Sequence, residues 1–257
     1  MNSLRIESSL TGEADDVTAE ASDDHRTADL ATFSAMIASA AHLPLIATHN
    51  WTTRAATALC ADLPGRAALV LLVDAGASTL IHAGAAMAGD HAGTAGLLLT
   101  QATRLCATID AGPRSDVIAW ANTREHPFHD AGLAMGTVVR SIVPVHHAAS
   151  LVAFVFERGA SETGGLSTTV AAATEFLARS AKSFLGTNRE PVWLSQRETE
   201  VLEHVVMGRT VNEIAEALER SPHTVHDHLK AIHRKSGAAT RGQLIAAATG
   251  RRAISAP

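Results

Sequence analysis

Apolar and polar positions alternate with different periods along this chain. Leu30, Phe33, Met36 and Ile37 recur at helical spacing, and Trp51–Leu63 predicts a second helix ended by Pro64-Gly65. The unbroken apolar run Ala67–Val73 and the shorter Thr79–Ala83 predict two strands joined around Asp74-Ala75-Gly76. Helical spacing returns over Leu97–Ile109. After irregular sequence rich in His, Pro and Gly, two further strands are expected in Thr137–Val145 and Leu151–Glu157, joined through His146–Ser150. Leu166–Leu185 predicts a long helix with Val170, Leu177, Ala181 and Phe184 on one stripe, and Gly186–Trp193 reads as a linker.

Beyond the linker the pattern is purely helical. Ser195…Glu198, Thr210…Glu213 and Thr240…Gln243 each have the form of a capping box, in which a hydroxyl and a carboxyl or amide satisfy backbone N–H groups at a helix start. Gly208 and Gly250 suit the left-handed position that ends a helix. Ser221-Pro222 opens another helix, with proline where its missing N–H costs nothing. On that helix Val225, Leu229 and Ile232 form an apolar stripe, and His223, His226, Asp227, Lys230 and Arg234 lie opposite. A short helix, a tight turn and a helix with one polar face make a helix-turn-helix, whose second helix enters the major groove.

Leu194–Ile245 resembles the C-terminal DNA-binding domain of LuxR-type bacterial transcription regulators. The features that carry the resemblance are LSxRE at Leu194–Glu198, the Gly208/Thr210 turn, EIA at Glu213–Ala215, and Ser221, Thr224-Val225, His228-Leu229, Ile232, Lys235, Gly237 and Arg241. It implies that His226, Asp227 and Lys230 face base edges and nearby phosphates, with Thr224, Lys235 and Arg241 near the DNA backbone and Arg234 on the same face. Asp227 either accepts from a cytosine amine or pairs with Lys230 three residues on. His228 either contacts a phosphate or packs beside the turn. The resemblance also places Leu244 and Ala248 of the last helix at a dimer contact.

The order helix, two strands, helix, strands, helix over residues 28–185 predicts an α/β (α+β) domain. Through Ser141–Gly159 it resembles the GAF fold, with an antiparallel sheet and helices on one side; a PAS-like domain uses similar elements. The expected organisation is an acidic disordered tail over 1–27, a GAF-like sensor over 28–185, a linker over 186–193, an all-α four-helix domain over 194–250, and a tail over 251–257.

Charge at first argues against DNA, since the 257-residue chain carries a net −5. Counted by region, residues 191–257 hold nine Lys and Arg against seven acids, so the acidity belongs to the rest of the chain. No basic stretch followed by an apolar one opens the sequence, and no apolar run approaches the roughly 20 residues of a membrane span, so a cytoplasmic protein without membrane contact is expected. Cys60 and Cys106 are then expected as reduced thiols on helices.

A phosphoacceptor receiver is disfavoured because Asp74 has no acidic pair and no strand-end lysine to accompany it. A homoserine-lactone domain is disfavoured because the chain has no Tyr. Trp120, Arg124, His126, Phe128 and His129, bunched in Trp120–Asp130 after a strand, either line a small-molecule pocket or form an exposed loop. No Gly-x-Ser-x-Gly, HExxH or phosphate-binding loop is present, so no enzyme is expected. No metal or resident cofactor is expected, and a small-molecule effector, if there is one, is not named by the sequence. The expected partners are double-stranded DNA, a second copy of the chain and RNA polymerase. The alternatives are a sensor that only dimerises, a catalytic domain, or a helix-turn-helix that serves protein contacts.

Overall fold

In a computed structural model, the structure describes residues 30–61, 63–74, 79–89, 93–109, 116–121, 133, 136–146, 149–158, 163–185 and 192–250. The two predicted tails and most of the predicted linker lie outside these residues. Helix α1 covers 30–41, followed by α2 (Trp51–Cys60), β1 (Ala67–Asp74), β2 (Thr79–Met87) and α3 (Thr94–Thr108). Strands β3 (Asp116–Ala121), β4 (Gly136–His146) and β5 (Ala149–Arg158) precede the long α4 (Thr163–Leu185). Four helices complete the chain: α5 (Gln196–Val206), α6 (Val211–Ala217), α7 (Pro222–Ser236) and α8 (Arg241–Ala248).

The five strands form one antiparallel sheet in the order β2-β1-β5-β4-β3. This is the α/β domain with an antiparallel sheet that the sequence predicts. The unbroken apolar character of β1 and β5 follows from their central position, because both faces are buried. Ala68, Val70, Leu72, Leu151, Ala153 and Val155 point into a core shared with α2 and α4. Their neighbours Leu69, Leu71, Val152, Phe154 and Phe156 point into a second core under Leu98, Ala102 and Leu105 of α3.

Helices therefore cover both faces, and the expectation of helices on one side only is corrected. The physical reason is visible in β1: Leu69 and Leu71 would face water without α3. Strand β3, which the sequence pattern left without bounds, is the edge strand beside β4, and Trp120 lies on it rather than after it. Cys60 and Cys106 are both buried, one in each core, so the sheet separates them and no disulfide joins them.

The third core is that of the C-terminal helices. Val201, Leu202, Val205, Ile214, Val225, Ile232 and Leu244 build it together with one residue from far upstream, Ile46. Residues 42–50 form a strap between the two halves of the chain. On one side Trp51 Nε1 donates to Pro44 O (3.0 Å), as does Ser180 Oγ (2.7 Å), and Ser183 Oγ donates to Leu45 O (2.7 Å). On the other, Leu45 N donates to Ala247 O (2.8 Å) and Leu194 N to Ala47 O (2.7 Å), beside a parallel bridge between Thr48 and Leu194. Trp193 stacks on His82 of β2 with ring centroids 4.4 Å apart and meets Phe184 of α4 edge-on at 5.6 Å. Among the described residues, no helix is long and apolar enough to cross a membrane.

Candidate nucleic-acid interface

Each helix of the C-terminal domain starts on a side-chain cap. Ser195 and Glu198 make a complete box, with Ser195 N donating to Glu198 Oε2 (2.7 Å) and Glu198 N to Ser195 Oγ (3.3 Å). Thr210 and Glu213 make another. The third differs from expectation: Gln243 N donates to Thr240 Oγ1 (3.2 Å), but Gln243 Oε1 accepts from Ala239 N instead of the cap residue's own N–H. Ser221 caps α7 by accepting from Thr224 N (3.1 Å), with Pro222 at the first position.

Between α6 and α7 the chain turns on Glu219, at φ 51°. That turn aims α7 so that Val225 and Ile232 enter the core and Leu229 is half-buried. His223, His226, Asp227, Lys230 and Arg234 are exposed, and Thr224 is half-buried with its hydroxyl against Ser221 Oγ (2.9 Å). Asp227 stands between two cationic partners, Lys230 Nζ at 3.5 Å and His223 Nε2 at 3.6 Å, the latter a charge pair when the imidazole is protonated. Both carboxylate contacts are long and surface-borne, with Lys230 75% exposed, so they hold the side chains only loosely. His228 is half-buried and borders a cleft of about 140 Å³ with Arg197 and Arg220.

Two of the expected DNA-backbone residues are engaged inside the domain. Lys235 Nζ donates to Glu198 Oε2 (2.6 Å) and to Trp193 O (3.3 Å), which ties α7 to the start of α5. Burial alone would raise the Glu198 carboxyl. The hydrogen bonds from Lys235 and Ser195 outweigh it and hold that carboxyl below its ordinary value. Arg241 Nη2 donates to Arg209 O (2.6 Å) and Val205 O (3.3 Å), closing the carbonyl end of α5. The sequence pattern missed these four bonds because each partner lies more than 30 positions away.

Leu244 and Ala248, the residues expected at a dimer contact, are both buried within the chain. Leu244 sits in the C-terminal core, and Ala248 is buried with it beside the strap. Of the candidate sensor residues, Arg124, His126, Phe128 and His129 lie outside the described residues. Trp120 is half-buried at the margin of the α3-side core, with the Arg140 guanidinium carbon 5.9 Å from its ring centroid. Among the described residues no cluster of three or more His, Cys, Asp or Glu is arranged to hold a metal.

The profile of the bacterial regulatory proteins, luxR family, matches residues 192–248. The C-terminal domain belongs to the luxR family. A chain carrying this luxR-family domain is a DNA-binding transcription regulator, a class without enzymatic activity. No curated protein matches the chain.

Among solved structures, SdiA in complex with octanoyl-rac-glycerol is 19% identical, covering 72% of this chain and 80% of that one, with a TM-score of 0.32. SdiA of Escherichia coli gives 23% identity, 72% and 83% coverage and a TM-score of 0.31. A phage VqmA–DPO complex gives 18% identity, 70% and 80% coverage and a TM-score of 0.22. Overlap at this level transfers no ligand to the present chain.

Proposed function

We propose that this regulator binds promoter DNA as a homodimer, each copy laying α7 in a major groove, and that its α/β domain acts as a sensor that modulates the binding. The observation that carries the reading is the division of α7: Val225 and Ile232 anchor it, while His226, Asp227, Lys230 and Arg234 stand in solvent on one face. Lys230 and Arg234 supply charge for phosphate or guanine, and His226 can donate to a purine acceptor. Thr224 at the helix start suits a phosphate contact. Lys235 and Arg241 serve by holding α5, α7 and α8 in register. Asp227 restrains Lys230 until DNA competes for it.

Two copies related by two-fold symmetry would read half-sites about one helical turn apart. For the sensor, the route is the strap. Ser180 and Ser183 on α4 hold Pro44 and Leu45, and the adjacent residues hold α8 and Leu194, so a shift of α4 against the sheet reaches the DNA-binding domain through hydrogen bonds already in place. The ligand that would produce such a shift belongs to a small-molecule class the chain does not name, and RNA polymerase remains a candidate partner at the promoter.

The test is a gel shift with the protein's own promoter region at two salt concentrations. Affinity should fall steeply with salt, and Lys230→Ala should weaken binding and lower the magnitude of the salt slope by about 1. Binding indifferent to both overturns the assignment of α7.

A further inference from the structure

Trp193 and Leu194 are consecutive residues that pack into different cores. Leu194 is buried among the C-terminal helices, whereas the Trp193 ring packs against the core that the sheet shares with α2 and α4. Its face stacks on His82 of β2, with the ring planes 21° apart, and it meets Phe184 near the end of α4 edge-on. Its carbonyl oxygen accepts from Lys235 Nζ in the last turn of α7 (3.3 Å). One residue therefore holds the sheet domain with its side chain and α7 with its backbone.

Both ends of this link are defined. On the sheet side, β2 is an edge strand, held by one strand neighbour. Its ladder with β1 skips Ile81, pairing Leu72 with His82 and Val73 with Leu80. That bulge lets Leu80 pack in the α3-side core while His82 faces α2, where its Nδ1 lies 2.7 Å from Thr52 Oγ1. A Cβ on Gly84 would collide with the Thr52–Thr53 backbone, so β2 and the start of α2 are in close contact and shift together. On the helix side, Lys235 Nζ has a second acceptor, Glu198 Oε2 (2.6 Å), which also accepts from Ser195 N. The Glu198 bond is short, whereas the Trp193 bond stands at the long limit for N–H···O, so a small displacement of Trp193 breaks the latter first.

We propose that Trp193 is a positioning residue for α7. Its ring follows β2, and its carbonyl keeps or releases the second bond to Lys235, so an effector that displaces β2 changes how firmly α7 is held for DNA. This route is separate from the Ser180 and Ser183 bonds to the strap, and it rests on α7 being the helix that meets DNA. Arg234, exposed in the same last turn, is one of the cations α7 offers to DNA, so loosening that turn blurs a contact that sets orientation on the duplex.

The experiment pairs hydrogen–deuterium exchange of the full chain, without DNA, with gel shifts on its own promoter region. His82→Ala removes the ring under Trp193 at a site in the sheet domain, and Trp193→Ala removes the stacking ring itself. Each should speed exchange in the last turn of α7, leave exchange in β5 unchanged, and weaken promoter binding about three- to tenfold. The double variant should bind no more weakly than Trp193→Ala alone, because both changes act through one contact. His82→Phe keeps a flat ring for the stack and should restore both readouts at about pH 7.5, where the imidazole it replaces is uncharged. If Trp193→Ala does not fold, His82→Ala and His82→Phe still decide the matter. Parental exchange in α7 for His82→Ala overturns the inference, whatever its DNA affinity. So does faster exchange with parental promoter affinity. Lys230→Ala in the same gel shifts separates the two readings: weakened binding there leaves the assignment of α7 standing, and parental binding removes that assignment as well.

Discussion

Glu219 pays a local conformational penalty at φ 51°, a left-handed backbone that side chains other than Gly, Asn and Asp rarely adopt. Glu219→Gly should stabilise the protein by about 0.5–1 kcal/mol, read as a higher urea midpoint at unchanged slope. At Lys235 the sign is opposite. Removing its ammonium strands the buried Glu198 carboxylate, so Lys235→Met should cost about 2–3 kcal/mol in the same assay. A Lys235→Met protein with parental stability but weakened DNA binding would return that residue to the DNA backbone. The contrast with Lys230, exposed and loosely paired, shows what the sequence pattern can and cannot reveal. Both are lysines on one helix, and only the fold shows that one of them reaches back 37 positions to a capping box.

Elements were legible where a local rule decides them. The caps at Ser195, Thr210 and Ser221, and the anchors Val225 and Ile232, follow from spacing within a few residues. The bounds of strand β3 were not, because its six residues sit at a sheet edge, where Val117 and Ile118 are exposed and no polar alternation announces a buried face. The covering of both sheet faces was implicit in the unbroken run of β1, whereas the placement of α3 over one face depends on contacts between distant segments. At this scale the end of α8 gives a further prediction. Gly250 has φ +73°, and a Cβ there would lie 2.7 Å from the carbonyl oxygen of Leu43. Gly250→Ala should loosen α8 from the strap, which small-angle scattering would read as a larger radius of gyration with helix content retained. A chain of unchanged radius would show that the contact does not hold the two parts together.

Across the whole molecule, the Trp193–His82 stack is one of the contacts that join the C-terminal domain to the sheet. Burial, and then the neighbouring His49, hold the His82 imidazole below its ordinary value, while its Nδ1 lies 2.7 Å from Thr52 Oγ1. The docked form thus favours neutral His82, and an undocked imidazole takes a proton near pH 6.5. The contribution is intact above about pH 6.5 and is lost as pH falls below it. His49 beside it donates its Nδ1–H to Thr199 Oγ1 (3.0 Å), because that hydroxyl already donates to Ser195 O. Tryptophan fluorescence should report partial release of Trp193 between pH 7.5 and 5.5, and His82→Phe should flatten the profile. A parental profile in His82→Phe would assign the pH response to another group.

Ile46 gives the division into two domains a practical meaning. It belongs by position to the first half of the chain and by packing to the second, where it shares a core with Leu194, Leu244 and Ala248. A recombinant fragment that starts at Val192 would match the luxR-family profile in full and still lack part of its hydrophobic interior. Such a fragment would present the uncovered ends of α5 and α8 to solvent and self-associate through them. Grafting this DNA-binding unit onto another sensor would accordingly require carrying residues 42–50 along with it, so the portable unit is discontinuous in sequence.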